Sequence, residues 1–334
     1  MQPQDAQNYV LSLYEHILRR APSQHELIYW SECACNAGGA EKVYFSFVNS
    51  AEYKGKNTVK TLYPAGHYYS PVVDPATVRK YINRERSSFI GDIPGVIINI
   101  REMDDLWNLM SGVIASTPFT ENKSDSFRFY YNNNIFPYGD AISLRMMMAY
   151  LKPRSVVEIG SGFSSACMLD AAEEFNLDTK FTFIDPYLER LNSLLKTSDH
   201  DRVLIVEDAV QNVNDSLFSR LGAGDVVFID STHVLKTGSD VHFEIFNILP
   251  KLNSGVLIHF HDIQYPFEYP DQWIFEQNYS WNEIYALRAF LMYNPQFRIK
   301  FWGSCFAQRR TEAVRSVFPL FLKNPGGSIW IEKV

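Results

Sequence analysis

The chain has 334 residues, 46% hydrophobic and 21% charged, which suits a globular protein with room for one large domain or two smaller ones. A net charge of −7, and no basic run longer than a pair such as Arg309-Arg310, argue against nucleic acid or an anionic membrane as partner. No stretch approaches the roughly 18–20 apolar residues of a membrane span, and the start Met1-Gln2-Pro3-Gln4-Asp5 lacks a basic or apolar leader, so a soluble, cytoplasmic protein is expected.

Residues 7–55 read as a helical module. Tyr9, Val10, Leu13, Tyr14, Ile17 and Leu18 follow the helical period and Pro22 stops that helix. Leu27, Ile28 and Trp30 open a second helix, broken by Gly38-Gly39, and Val43, Phe45, Phe47 and Val48 begin a third. Cys33 and Cys35 lie too close together for a zinc knuckle, and with Cys167 and Cys305 they read as reduced thiols. Residues 56–150 form a connecting region. It holds the aromatic turn Tyr63–Pro71, a helix near Met103–Ser116 and the segment Arg128–Asp140, read as a lid or as a wrap over a sheet edge.

From residue 151 strands and helices alternate, the pattern of a parallel α/β sheet. Strands are expected at Ser155–Ile159, Lys180–Ile184, Arg202–Val206, Asp225–Ile229 and Val256–Phe260, with two more at Phe297–Phe301 and Ser328–Glu332. Helices are expected at Ser165–Phe175, Tyr187–Leu195, Val213–Leu221, His242–Leu249 and Trp281–Tyr293. Ligands of such sheets bind beyond the carboxyl ends of the strands. There the first five strands carry Glu158, Asp185, Glu207-Asp208, Asp230 and His261-Asp262. One acid at a strand end means little, since Asp favours turns and caps; five in succession point to a shared site.

Ser155-Val-Val-Glu158-Ile-Gly160-Ser161-Gly162 is a strand running into a glycine-spaced turn, but not the dinucleotide G-x-G-x-x-G, because Ser165 stands at the last position. With Glu158 ahead of the glycines, it resembles motif I of class I S-adenosylmethionine-dependent methyltransferases. That resemblance implies a doubly wound, Rossmann-like, mostly parallel seven-stranded sheet whose last strand runs antiparallel between the fifth and sixth. It implies S-adenosyl-L-methionine as cofactor: Gly160, Ser161 and Gly162 against its amino-acid tail, and Glu158 bracing the loop or meeting the amine. Asp185 would accept from the ribose, and Asp208 and Ala209 would lie by the adenine. Phe228-Ile-Asp230-Ser-Thr-His233 and His259-Phe-His261-Asp262 are similar to the strand ends of metal-dependent O-methyltransferases. This implies Asp230, His261 and Asp262 as ligands of a divalent cation (Mg, Mn, Fe or Zn), and His233 with Asp230 as the catalytic pair. Histidine is not the hard oxygen ligand Mg²⁺ prefers, which leaves the metal open. His259, one step deeper on the same face as His261, reads as a core histidine.

Substrate contacts are expected from His67, Tyr69, Arg128, Tyr130, Tyr131, Asn132, Tyr138 and Asp140, and from the aromatic loop Tyr265–Trp273. The residues 7–55, from Leu13-Tyr14 through Phe47-Val48-Asn49-Ser50-Ala51-Glu52-Tyr53, look like the DUF4214 module, which accompanies surface-polysaccharide genes; this leans towards a sugar or glycan acceptor. Three readings stay open: a metal-assisted O-methyltransferase, a metal-independent one, and a non-catalytic S-adenosylmethionine-binding scaffold. A homo-oligomer is compatible with each.

Overall fold

The computed structural model describes residues 2–36, 38–56, 62–89, 91–136 and 138–334. The chain divides into two compact units, Met1–Ser70 and Pro71–Val334. In the first, the helices Pro3–His16, Gln24–Cys35, Gly39–Asn49 and Ala51–Lys56 enclose a small core of Ala6, Val10, Leu13, Tyr14, Leu18, Ala34, Val43 and Phe47. Ser23 starts the second helix with a reciprocal cap to Glu26. Arg20 ties that helix to the fourth through Glu26 and Glu52.

The second unit is built on seven strands: β1 (Ser155–Ile159), β2 (Lys180–Ile184), β3 (Val203–Val206), β4 (Val226–Ile229), β5 (Leu257–Phe260), β6 (Phe297–Trp302) and β7 (Ile329–Lys333). Their order is β3-β2-β1-β4-β5-β7-β6. The first five are parallel, and β7 lies antiparallel between β5 and β6, as expected from the sequence. β1, β4 and β5 are buried almost throughout, which is why they read as unbroken Val/Ile/Phe runs. The order reverses between β1 and β4, so a crevice opens at their carboxyl ends.

Some helices differ from the sequence expectation. Tyr138–Leu151 is a helix whose residues 138–148 are all buried, and a helix without a polar face shows no amphipathic period. Pro75–Ser88, capped by Asp74, was also not anticipated. Instead of Val213–Leu221 the chain makes one helical turn, Ser216–Ser219. The Asn214 side chain there accepts from the Ser216 amide and holds the preceding backbone in a turn. The helix expected at His242–Leu249 begins at Asp240 and continues as a π-helix over Glu244–Ile248.

The segment Arg128–Phe136 is pinned into the core, with Phe129, Tyr131 and Phe136 all buried. Arg128, with no side-chain exposure, binds Asp170 at 2.7 Å and Asp199 at 2.8 Å and also reaches Glu173. Asp170 accepts the Phe129 amide as well. Removing one partner of such a buried cluster leaves carboxylates uncompensated in a poor solvent for charge. Arg128→Ala is therefore expected to destabilise the second unit by about 3–5 kcal/mol in denaturant unfolding; an unchanged midpoint would show that the cluster contributes nothing.

Candidate functional site

The glycine turn after β1 is set by contacts on both sides. Gly160 has φ +83°, and a Cβ there would lie 1.8 Å from the Asp230 carbonyl oxygen, so only glycine lets β1 and β4 end this close together. Its amide donates to Ile184 O at 2.9 Å. Ser161 N donates to Asp185 Oδ2 at 2.8 Å, and Tyr187 N to the other Asp185 oxygen at 2.7 Å. Glu158 is fully buried. Its Oε1 accepts from Ser164 Oγ at 2.5 Å and its Oε2 from Ser165, whose Oγ in turn accepts from Gly162 N at 2.9 Å. Glu158 thus braces the turn from below. Burial raises its carboxyl pKa to about 8, against the opposing pull of the two serines.

Above this turn is a cavity of about 220 Å³. Gly160, Ser161, Gly162, Asp185 and Arg190 line one side; Asp230, His233, His261, Asp262 and Trp281 line another, with Ile135 and Phe136. Ser161 Oγ is buried without a hydrogen-bond partner among the described residues. A polar atom in that state beside a bare backbone turn and a carboxylate fits a ligand with an amino-acid tail and a diol.

The chemistry concentrates on His233. Its backbone turns left-handed (φ 60°), as does that of Asp262 (φ 58°), and the ring folds back over the strand ends. Nε2 lies 3.4 Å from Asp230 Oδ1 and 3.5 Å from Asp262 Oδ2, and Nδ1 bonds Glu283 Oε2 at 2.8 Å. The His233 carbonyl accepts the Asn282 and Glu283 amides, which anchors this turn to the segment after Trp281. Burial disfavours the charged ring, but the bonds to Asp230 and Glu283 outweigh it and hold the pKa well above the ordinary imidazole range. Burial also pushes Asp262 and Glu283 up. For Asp230 burial is overcome by His261 and His233, which keep it low.

Among the described residues, the metal-ligand atoms that converge belong to Asp230, His233 and Asp262, all within 4.8 Å of one another. The sequence had set His261 in this group and His233 outside it as the base. His261 lines the same cavity, with Nε2 3.6 Å from Asp262 Oδ1 and its ring packed on Phe136. Two carboxylates, and an imidazole whose far nitrogen is held by a third, form a donor set suited to a divalent cation that tolerates nitrogen. His259 is a core residue stacked on Phe228, with neither nitrogen partnered among the described residues; burial drives its pKa well down.

The other expected residues fall in several places. Asp208 is exposed at the end of β3, accepting from Ala209 N and Asn212, and does not line the cavity. Arg128 is removed from any substrate role by its buried ion cluster. Tyr131 is in the core, stacked on Tyr138, whose hydroxyl donates to Glu121 at 2.6 Å. Tyr130 packs edge-on to Phe163 of the cavity wall. Asn132 bonds Asn122, and Asp140, pushed up to about 6 by burial, accepts from Ser328. His67 and Tyr69 belong to the first unit, in a ring stack with Tyr63 and Tyr68. Sequence reasoning missed Arg190, Glu283 and the role of Trp281; Trp281-Asn282-Glu283 reads only as a helix start.

The buried Glu158 gives a pH signature. Between its unfolded value of 4.5 and its folded value of about 8, the unfolded chain ionises while the folded one keeps its proton. Stability is therefore lost as pH rises through that window and levels off above it. Glu158→Gln cannot ionise, so the wild-type melting temperature should fall relative to the variant between pH 5 and 8. A constant difference would contradict this environment for Glu158.

Residues 157–263 match the family described as "Methyltransferase domain", about a third of the chain. An uncharacterized protein of Archaeoglobus fulgidus is 26% identical over 174 residues, covering 49% of this chain and 75% of its own length. Similar solved structures include the O-methyltransferase TomG of Streptomyces achromogenes in complex with SAM, 13% identical with a TM-score of 0.39, covering 76% of this chain and 96% of that one. An SAH-bound methyltransferase of Podospora anserina is 12% identical with a TM-score of 0.36, covering 82% and 99%. Residues 157–263 thus match a methyltransferase domain, and the sheet around them has the strand order that the resemblance to class I methyltransferases implies.

Proposed function

We propose that this protein transfers the methyl group of S-adenosylmethionine to a hydroxyl oxygen of a sugar or another small polar acceptor. One observation carries the reading: Asp230, His233 and Asp262 converge at the ends of β4 and β5, in the same cavity as the Gly160–Gly162 turn and Asp185. The turn would take the amino-acid tail of the methyl donor and Asp185 its ribose. In the transfer the acceptor oxygen bonds the methyl carbon as the carbon–sulfur bond breaks. The sulfur keeps that electron pair, and the acceptor proton leaves to a base. Fixing the acceptor oxygen in line with the methyl group is the main task of the cluster.

Asp230, His233 and Asp262 would hold a divalent cation, with Mn²⁺ or Fe²⁺ better suited to the imidazole than Mg²⁺. Such a cation, when bound, would supply a Lewis acid that makes the acceptor hydroxyl easier to deprotonate. Glu283 keeps the His233 Nδ1–H in place and turns Nε2 towards the two aspartates. His233 can take a proton only when Nε2 is bare. The surrounding carboxylates also support a metal-free reading: His233 stays protonated and holds Asp230 and Asp262 in position, leaving an Asp262 oxygen to receive the hydroxyl proton.

The test is transfer of labelled methyl from S-adenosylmethionine to saccharide acceptors before and after chelation. Loss of transfer on chelation and its return with Mn²⁺ is the expected result; transfer that survives thorough stripping would leave the metal-free reading. Asp262→Asn should lower turnover about 10²–10⁴-fold in either case, and full activity in that variant would remove the cluster from the reaction.

A further inference from the structure

The cavity at the cluster is small, about 220 Å³ against the roughly 300–1,000 Å³ of typical small-molecule sites. It cannot take a methyl donor and a whole acceptor together. Trp281 is the wall it shares with a second pocket of about 400 Å³ in the same unit. On the cluster side the Trp281 ring lies 4.4 Å from His233; on the other it stacks on Tyr279 at 4.5 Å and meets Trp273 edge-on at 5.4 Å. This second pocket is built rather than incidental. The helix Pro75–Ser88 closes it, with Arg86 donating to Tyr269 O at 2.7 Å and pairing with Asp271. Asn278 donates to Val73 O, and the Val73 amide to Ser280 Oγ.

We propose that this aromatic pocket is the distal subsite for an oligosaccharide acceptor, which lies across Trp281 and places one hydroxyl at the Asp230–His233–Asp262 cluster. The inference rests on the methyl-transfer reading and names where the rest of its acceptor binds. The lining sets the substrate class. Indole and phenol faces suit the C–H faces of pyranose rings, while Arg288 and the carboxylates of Glu85 and Glu268 on the same lining suit a belt of hydroxyls. A flat phenol would cover the aromatic faces but offer the Arg288 guanidinium on the same wall no ring of hydroxyls to bond, which is unfavourable. The Tyr285 hydroxyl donates to Glu268 at 2.5 Å, which holds that carboxylate in place on the wall.

The test is saturation-transfer NMR on the full chain with cellotriose, mannotriose, galactotriose and chitotriose, and with catechol as the phenolic competitor. S-adenosylmethionine binding is followed in parallel by calorimetry. The expected result is transfer to the ring protons of at least one trisaccharide. That signal should fall at least several-fold in the half-buried Trp273→Ala and Arg288→Ala and in the more exposed Tyr279→Ala, each still binding S-adenosylmethionine. Transfer to catechol alone, no transfer to any trisaccharide, or signal that survives all three substitutions would overturn the subsite while leaving methyl transfer intact. No binding of S-adenosylmethionine by the wild type would instead defeat the methyl-transfer reading, and the subsite with it.

Discussion

The site depends on one electrostatic arrangement, the His233 imidazole surrounded by three carboxylates with the His261 ring beside two of them. Asp230, Asp262 and Glu283 come from three different parts of the chain, and each is largely shielded from water. Without a cation among them, like charges so close together would raise one another's pKa and spread the strand ends apart. The bonds to Asp230 and Glu283 that raise the His233 pKa favour its charged form as that cation, and a divalent ion would meet the same need. Either way the positive charge sits where an acceptor oxygen would need a partner. The backbone is committed to this arrangement, since His233 and Asp262 both adopt left-handed φ to bring their side chains inward.

The sheet makes the convergence inevitable once its order is set. β1 and β4 are neighbours at the point where the connections change direction, and Gly160 lets their ends approach within van der Waals distance. The Glu158–Ser165–Gly162 relay then fixes the turn from beneath, while Asp185 fixes it from the side. A larger groove of about 500 Å³ runs along β6, but its arginine, Arg298, is already paired with Glu332 and it holds no comparable cluster.

Much of this was legible in the residues. Five parallel strands announce themselves as apolar runs, and the acids that close them announce the crevice, because an open parallel sheet leaves no other place for its strand ends to point. Asp230, Asp262, Gly160 and Asp185 followed from that logic. The approach of His233 to both aspartates did not, because Glu283, which holds its Nδ1, lies far along the chain. Arg128 was misplaced because a lone arginine in an aromatic stretch looks like a ligand contact; its acids, Asp170 and Asp199, lie far away in sequence. Glu283 was hidden for the same reason, being a helix-start glutamate whose partner is 50 positions earlier.

The most direct measurement is electron paramagnetic resonance of Mn²⁺ added to the protein with S-adenosylhomocysteine present. A single bound Mn²⁺ with nitrogen coupling from one histidine, lost in His233→Asn and retained in His261→Asn, is the outcome predicted here. Nitrogen coupling that follows His261 instead, or no bound Mn²⁺ at all, would contradict the placement of a cation between Asp230, His233 and Asp262.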